Sequence, residues 1–164
     1  MHNLRWRVRV TVYLVRHAKA GDRDGWADDD RLRPLSGRGH RQAYLLVDLL
    51  ADARFDRILS SPYVRCMQTV VPIAGARGLP VEPVEALAED APLDDALELV
   101  QKHAISGALM CMHGDLMPML LDHYASSGVE MRHELRWPKG CTWVLETDAT
   151  GEVVRARYLP PPVD

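Results

Sequence analysis

A short apolar segment that ends in an arginine and a histidine constrains this chain more than any other feature. Residues 8–15 are mostly apolar and β-branched, and Arg16 and His17 follow them directly. The segment is too short for a helix and predicts a buried strand. Because ligands bind at the carboxyl ends of buried strands in α/β proteins, we expect Arg16 and His17 at a binding site. Arginine is a forked cationic donor that suits phosphate, and histidine can act as a nucleophile.

Two further apolar segments also end beside an arginine or a histidine. Residues 56–60 precede a motif that contains Arg65, and residues 107–112 run directly into His113. Strands that lie side by side in a parallel sheet bring such groups to one edge. We therefore expect a pocket for a dianionic phosphoryl group, formed by Arg16, His17, Arg65 and His113.

Segments with helical spacing of apolar residues alternate with the strands. This alternation predicts a three-layer α/β/α fold with a mostly parallel central sheet and an antiparallel edge strand. Ser36 and Ser61 are the expected N-caps of the first two helices. A kink or an early end is expected at Pro72, because proline removes a helical hydrogen bond. The first two predicted helices end near residues 53 and 77, and the next two cover 93–100 and 116–124. The remaining predicted strands are 80–84 and a hairpin formed by 140–147 and 152–158.

Composition limits the class of protein and its partners. The 164 residues suit a single domain, with a core over about 8–159 and a proline-rich tail. The net charge of −3 argues against nucleic acid or an anionic membrane as a partner. No segment has the length of a membrane span or the features of a signal peptide. Three widely spaced cysteines, Cys66, Cys111 and Cys141, predict neither disulfides nor a metal site, so a reduced, cytoplasmic protein is expected.

Four motifs, taken together, resemble those of the histidine phosphatase superfamily, also called phosphoglycerate-mutase-like. The resemblance runs from about Val10 to Tyr158, and Ala18 stands where the family usually has glycine. It implies a phosphoglycerate-mutase-like fold and a covalent phosphohistidine intermediate on His17, with no cofactor and no metal. The motifs are Leu14-Val15-Arg16-His17, Leu35-Ser36-x-x-Gly39-x-x-Gln42-Ala43, Ser61-x-x-x-Arg65-x-x-Gln68-Thr69 and His113-Gly114.

The chemistry that this resemblance implies assigns a role to each residue of the pocket. A neutral imidazole nitrogen is nucleophilic near pH 7, so His17 needs no separate base. Arg16 and Arg65 would bind the non-bridging oxygens, and His113 would donate to the same oxygens. Glu89 is the candidate acid for an alkoxide leaving group, with Asp90 in reserve.

Several alternatives remain open at the level of sequence. The segment containing Glu89 can instead be an acidic loop that complements the next helix; the substrate would then have a leaving group that needs less protonation, such as phosphohistidine. Residues 136–143 resemble phosphatase domains fused to Nudix hydrolases, which favours a nucleotide-derived phosphate. Lys139 can face the substrate or only the solvent, and Trp26 can stack on a ring or cap its loop. The alternative function is a non-catalytic phosphate-recognition module, and the oligomeric state is unknown.

Overall fold

In the computed structural model, which describes residues 9–163, a seven-stranded mixed sheet lies between two layers of helices. The strand order is β3-β2-β4-β1-β6-β7-β5. The strands are β1 (Arg9–Arg16), β2 (Ile58–Ser60), β3 (Val81–Pro83), β4 (Ala108–Met112), β5 (Glu130–Met131), β6 (Thr142–Thr147) and β7 (Val153–Leu159). The helices are α1 (Gly37–Leu49), α2 (Val64–Arg77), α3 (Leu93–His103) and α4 (Leu116–Ser126). The predicted α/β/α architecture is confirmed.

Strand β1 is the central strand, and its alternating side chains explain the three layers. Val12 and Leu14 are fully buried in the cluster that includes the apolar faces of α3 and α4. Tyr13 and Val15 point into the opposite cluster, which includes the apolar faces of α1 and α2. A strand that is covered on both faces requires apolar residues at every position, and residues 12–15 meet this requirement. Residue 8, the predicted start of the strand, lies outside the described residues.

The register of the sheet brings three carboxyl ends together. Strand β1 pairs in parallel with β4, with Arg16 opposite Met112. Strand β2 pairs in parallel with the other side of β4, with Ser60 opposite Cys111. The residues that follow these three strands therefore meet at one edge, as expected from their sequence.

The first two helices differ from the prediction at their ends. Ser36 caps α1 as predicted, because its side chain accepts the N–H of Gly39, but α1 ends at Leu49 rather than near residue 53. Helix α2 has Tyr63, not Ser61, as its N-cap. Of the kink or early end expected at Pro72, the early end is wrong, since α2 continues to Arg77, where its apolar pattern predicted its end. Burial of Ile73 and Ala74 against the sheet outweighs the single hydrogen bond that proline removes.

The C-terminal part forms the predicted antiparallel hairpin. Strand β6 pairs with β7 on one side and with β1 on the other. A short strand that the sequence did not predict, β5, pairs in parallel with β7 and extends the sheet by one strand. The antiparallel strand, β6, therefore lies inside the sheet between β1 and β7, and not at the edge as predicted. Cys66, Cys111 and Cys141 are all buried and free. Within the described part of the chain, none of the helices combines the length and apolar character needed to cross a membrane.

Candidate active site

A cleft of about 630 Å³ lies at the edge where β1 and β4 end. The cleft contains all four predicted phosphate-pocket residues and the predicted acid. Its lining residues are Arg16, His17, Lys19, Ala20, Gly21, Asp22, Arg23, Arg33, Arg65, Glu89, His113, Gly114, Asp115 and Lys139.

His17 is held by its backbone and by one ring nitrogen. Its N–H donates to the carbonyl of Met112 at 3.0 Å, which fixes the residue to the end of β4. Its Nδ1 lies 2.7 Å from the carbonyl oxygen of Ala18. Because a carbonyl only accepts, Nδ1 carries the proton and Nε2 keeps its lone pair. Burial, with smaller contributions from the charges of the neighbouring His113, Arg65 and Arg16, lowers the pKa of His17 to about 3, so the ring is neutral at pH 7.

Ala18 fits the turn after His17 without backbone strain. Asp90 is the only non-glycine residue with positive φ in the range 9–163, so Ala18 does not occupy the left-handed region. The N–H of Ala18 donates to Oγ1 of Thr69 at 3.0 Å, and that hydroxyl donates to the carbonyl of Arg65 at 2.7 Å. Thr69 therefore joins the turn after His17 to the first turn of α2.

The Arg16 guanidinium lies against the backbone of Gly114. Its Nη1 donates to the carbonyl of Trp137 at 2.6 Å, and its buried Nε has no partner. A Cβ atom on Gly114 would collide with the guanidinium, so a larger residue at this position would require Arg16 to move. The backbone of Arg16 is also held, because the N–H of Gly140 approaches the carbonyls of Arg16 and His17, each at 3.1 Å.

His113 is almost fully buried and lies with its ring 5.4 Å from that of His17. Its Nε2 is 2.8 Å from Oγ of Ser61. The same Oγ accepts the N–H of Tyr63 at 3.2 Å, so its hydroxyl can donate to Nε2, which also lies 3.5 Å from Sγ of Cys66. When the hydroxyl donates in this way, the proton of a neutral imidazole resides on Nδ1, which is buried without a partner. The hydrogen bond with His113, rather than the predicted helix cap, is the role of Ser61.

Arg65 is buried in the first turn of α2 and pairs with carboxylates. Its Nη1 donates to the backbone carbonyl of Asp30 at 2.8 Å and its Nη2 to the Asp30 carboxylate at 2.9 Å. Nη2 also lies 3.5 Å from Oε2 of Glu89. The guanidinium stacks over the ring of Tyr63 at 4.9 Å. Its charge is thus placed at the cleft and is balanced by side chains that an anion could replace.

Arg33 is a cleft residue that the sequence analysis missed. It is buried, with Nε 2.9 Å from Oδ1 of Asp30 and Nη1 donating to the carbonyl of Gly21 at 2.6 Å. Burial raises the pKa of the Asp30 carboxyl, but its bonds with Arg33 and Arg65 outweigh this and lower it overall. The only sequence signal for Arg33 is its position shortly before the Leu35-Ser36 motif. Its segment folds back onto the turn after His17, where the N–H of Gly21 donates to the carbonyl of Pro34.

The remaining predicted residues divide between the cleft and the loops around it. Glu89 lines the cleft and lies 3.4 Å from Arg23, whereas Asp90 does not line it and donates its N–H to Asp115 at 2.8 Å. Lys139 lines the cleft. Trp26 does not, and its indole N–H donates to the carbonyl of Asp29, as a loop cap would. No group of three or more His, Cys, Asp or Glu side chains within residues 9–163 could hold a metal ion.

Comparison with known proteins places this chain in a family. The model of the histidine phosphatase superfamily (branch 1) matches residues 12–92. The chain belongs to the histidine phosphatase superfamily.

Three proteins that this chain is similar to are named as phosphatases. The 8-oxo-(d)GTP phosphatase of Mycolicibacterium smegmatis is 33% identical over 158 residues, which is 93% of this chain and 48% of that protein. The chain thus spans about half the length of this relative. A crystal structure from Agrobacterium tumefaciens, assigned as phosphohistidine phosphatase SixA, has a TM-score of 0.72 and 25% identity, over 93% of this chain and 98% of that one. The tungstate complex of the protein histidine phosphatase SixA shares the fold, with a TM-score of 0.68 and 19% identity, over 92% and 94% of the two chains.

Proposed function

We propose that this chain is a phosphatase that hydrolyses a phosphomonoester or a phosphohistidine through a covalent phosphohistidine on His17. One observation carries the proposal: Nδ1 of His17 bonds to the carbonyl of Ala18, in a cleft that also contains Arg16, Arg65 and His113. The contact leaves Nε2 as a neutral nucleophile, and the cations compensate the charge of the phosphoryl group. Because the arginines supply this charge, the scheme requires no metal.

In the first step Nε2 of His17 attacks phosphorus, and the bond from phosphorus to the leaving group breaks. The leaving atom keeps the electron pair and, where it is an alkoxide, takes a proton from Glu89. Water then attacks the phosphohistidine and gives a proton to the Glu89 carboxylate, or keeps it on the phosphate where Glu89 has donated none. The phosphorus–nitrogen bond breaks, and orthophosphate leaves with His17 and Glu89 restored. Phosphoryl oxygens replace Asp30 and Glu89 as the partners of Arg65 in this scheme, and Nδ1–H of His113 donates to the same oxygens.

The substrate class is supported by two different relatives. One is named for action on an oxidised guanine nucleotide, which favours a nucleotide-derived phosphate. The other is assigned as a phosphohistidine phosphatase, which favours a protein-borne phosphoryl group. The position of Glu89 in the cleft supports an ester substrate, since an alkoxide needs a proton donor more than a histidine nitrogen does. We also propose a cytoplasmic location, which the three free thiols support.

Turnover of p-nitrophenyl phosphate in buffer that contains EDTA tests this proposal. The wild type should release p-nitrophenol and form an acid-labile, base-stable phosphoenzyme. His17→Ala should abolish both, whereas His40→Ala, which changes an exposed histidine of α1, should leave both intact. A phosphoenzyme that persists in His17→Ala would exclude His17 as the nucleophile. Binding of orthophosphate by a wild type that turns over neither esters nor phosphohistidine peptides would instead support the phosphate-recognition module.

The role of Glu89 needs a separate comparison of leaving groups. Glu89→Gln should lower turnover of an alkyl phosphate about 100-fold and that of p-nitrophenyl phosphate much less, because nitrophenolate leaves without a proton. Glu85→Gln is the matched control, since Glu85 pairs with Arg31 outside the cleft. Equal losses on both esters would contradict the assignment of Glu89 as the acid.

A further inference from the structure

Two lysines at the cleft have no carboxylate partner. The chain contains three lysines, and two of them, Lys19 and Lys139, line the cleft. Both ammonium groups lack an ion pair within residues 9–163. The other basic side chains at the outer part of the cleft are occupied: Arg23 pairs with Glu89, and Arg33 pairs with Asp30. Because the chain has a net charge of −3, this local excess of positive charge does not follow from its overall composition.

The carboxylates that line the same cleft do not neutralise these lysines. Glu89 contacts Arg23 and Arg65. Asp115 accepts the N–H of Asp90, and Asp22 accepts that of Asp24. The lysines therefore keep their charge available for a ligand.

The backbones that carry the two lysines are fixed near each other. The N–H of Lys19 donates to Oε1 of Gln42 at 3.0 Å, and its carbonyl accepts from the N–H and the hydroxyl of Ser36. Lys139 precedes Gly140, which has a φ of +82° and lies against the amide of the same Gln42. The N–H of Cys141 bonds to the carbonyl of Pro138, so Lys139 occupies the second position of a tight turn. Only the side chains of the two lysines remain free to adapt to a ligand.

The electrostatic environment also indicates that these cations lie close together. Partial burial lowers the pKa of Lys139, and the charges of Arg16, Arg33, Lys19 and Arg23 lower it further. Keeping like charges together costs free energy unless an anion binds among them.

The cleft is larger than one phosphoryl group requires. Pockets of 300–1,000 Å³ hold whole small-molecule ligands, and this cleft has about 630 Å³. Among its lining residues the only rings are those of His17 and His113, and these belong to the phosphoryl site. With no other ring to stack on, a nucleobase gains little from this cleft, whereas a second anionic group meets free cations.

We propose that Lys19 and Lys139 form a second anion subsite, which binds another phosphate of the substrate while the reacting phosphoryl group lies against His17. The inference rests on the proposed function and refines its substrate class: a compound that carries two phosphates, such as a nucleoside diphosphate or a sugar bisphosphate. A phosphohistidine in a protein, which offers one phosphoryl group, would leave the subsite empty.

Calorimetry with a pair of phosphonates tests the subsite without any turnover. Methylenediphosphonate has two non-hydrolysable anionic groups, and methylphosphonate has one. In the wild type the diphosphonate should bind at least about 10-fold more tightly than the monophosphonate, as a few added charge contacts allow. Lys19→Met and Lys139→Met should each reduce this ratio several-fold, and the double substitution should bring it close to one. The ratio of the two affinities is the readout, because a substitution that affects only the site of the reacting phosphate changes both affinities equally.

Lys102→Met is the matched control, since Lys102 is the third lysine and lies on the exposed face of α3. It should preserve the ratio. Equal binding of the two phosphonates by the wild type, or a ratio unchanged by the double substitution, would overturn the subsite even if p-nitrophenyl phosphate is hydrolysed. Competition by a nucleoside diphosphate and by a sugar bisphosphate then distinguishes the two sources, because the scaffold with the greater lysine-dependent affinity is the one that the cleft fits.

Discussion

The hydroxyl of Ser61 lies 2.8 Å from Nε2 of His113, and it also accepts the backbone N–H of Tyr63. A single hydroxyl thus joins the end of β2 to the residue that follows β4. Its proton, donated to Nε2, leaves the imidazole proton on Nδ1, the nitrogen that has no other partner. We propose that Ser61 is a positioning residue, which prepares Nδ1–H of His113 as a donor by donating to Nε2.

Loss of this hydroxyl should reduce catalysis more than stability. We expect Ser61→Ala to lower kcat by about 10-fold, because the N–H of His113 is no longer fixed for the transition state. Ser60→Ala is the control, since Ser60 is equally buried and its hydroxyl donates to the carbonyl of Ser61, not to His113. Both variants should lose about 1 kcal/mol of unfolding free energy. Ser61→Thr should recover activity, and equal kcat values for the two alanine variants would contradict the role of Ser61.

A methyl group on Gly114 should displace Arg16. The new Cβ would collide with the guanidinium, so we expect Gly114→Ala to lower kcat/KM for p-nitrophenyl phosphate by about 100-fold. Gly75→Ala provides the comparison, because a Cβ at that position in α2 meets nothing within 4 Å. That variant should keep its activity and gain up to about 1 kcal/mol of unfolding free energy, since alanine favours a helix. Full activity in Gly114→Ala would show that Arg16 can move without loss.

Acid should destabilise the fold through His17. The folded-state pKa of about 3 lies below the ordinary value of 6.5, so the unfolded chain binds the proton more readily between these values. The stability that the neutral ring contributes to the fold is fully present above pH 6.5 and is lost as the pH falls towards 3. When the pH is lowered from 7 to 5, this group should reduce the free energy of unfolding by about 2 kcal/mol. Urea unfolding of the wild type and of His17→Gln at both pH values measures this loss of unfolding free energy. An equal loss in the two proteins would contradict the lowered pKa of His17.

Removal of the negative charge of Asp30 should strengthen anion binding. The carboxylate contacts Arg33 and Arg65, so it competes with a phosphoryl group for their charge. We expect orthophosphate to inhibit Asp30→Asn at concentrations about 3- to 10-fold lower than the wild type requires, because asparagine keeps an oxygen acceptor but loses the charge. Asp28→Asn is the control in the same loop, where Asp28 accepts only the N–H of Asp29. Weaker inhibition of Asp30→Asn would mean that its charge is needed to orient the arginines.

The four phosphate-pocket residues that the sequence located share one property: each lies at the end of a buried strand, directly after one, or in the first turn of a helix. His17 and His113 could be placed because apolar runs predict strands and parallel strands share an edge. Arg33 could not, because a loop brings it back to the site through contacts between Gly21 and Pro34. The role of Ser61 was missed because Ser-Pro is also a common start of a helix, and only the partner 52 residues away decides between the two roles. A two-residue strand such as β5 leaves no periodic pattern to find.

The position of β1 between β4 and β6 has a consequence for how His17 becomes ordered during synthesis. Val12 pairs with Ala108 on one side and with Leu145 on the other, so both neighbours of the central strand leave the ribosome long after it. The segment that matches the family model, residues 12–92, contains neither neighbour. Contacts so distant in sequence form late, because a long loop must close first. A nascent chain that already carries His17 and Arg65 thus exposes the two edges of β1 until β4 and β6 arrive.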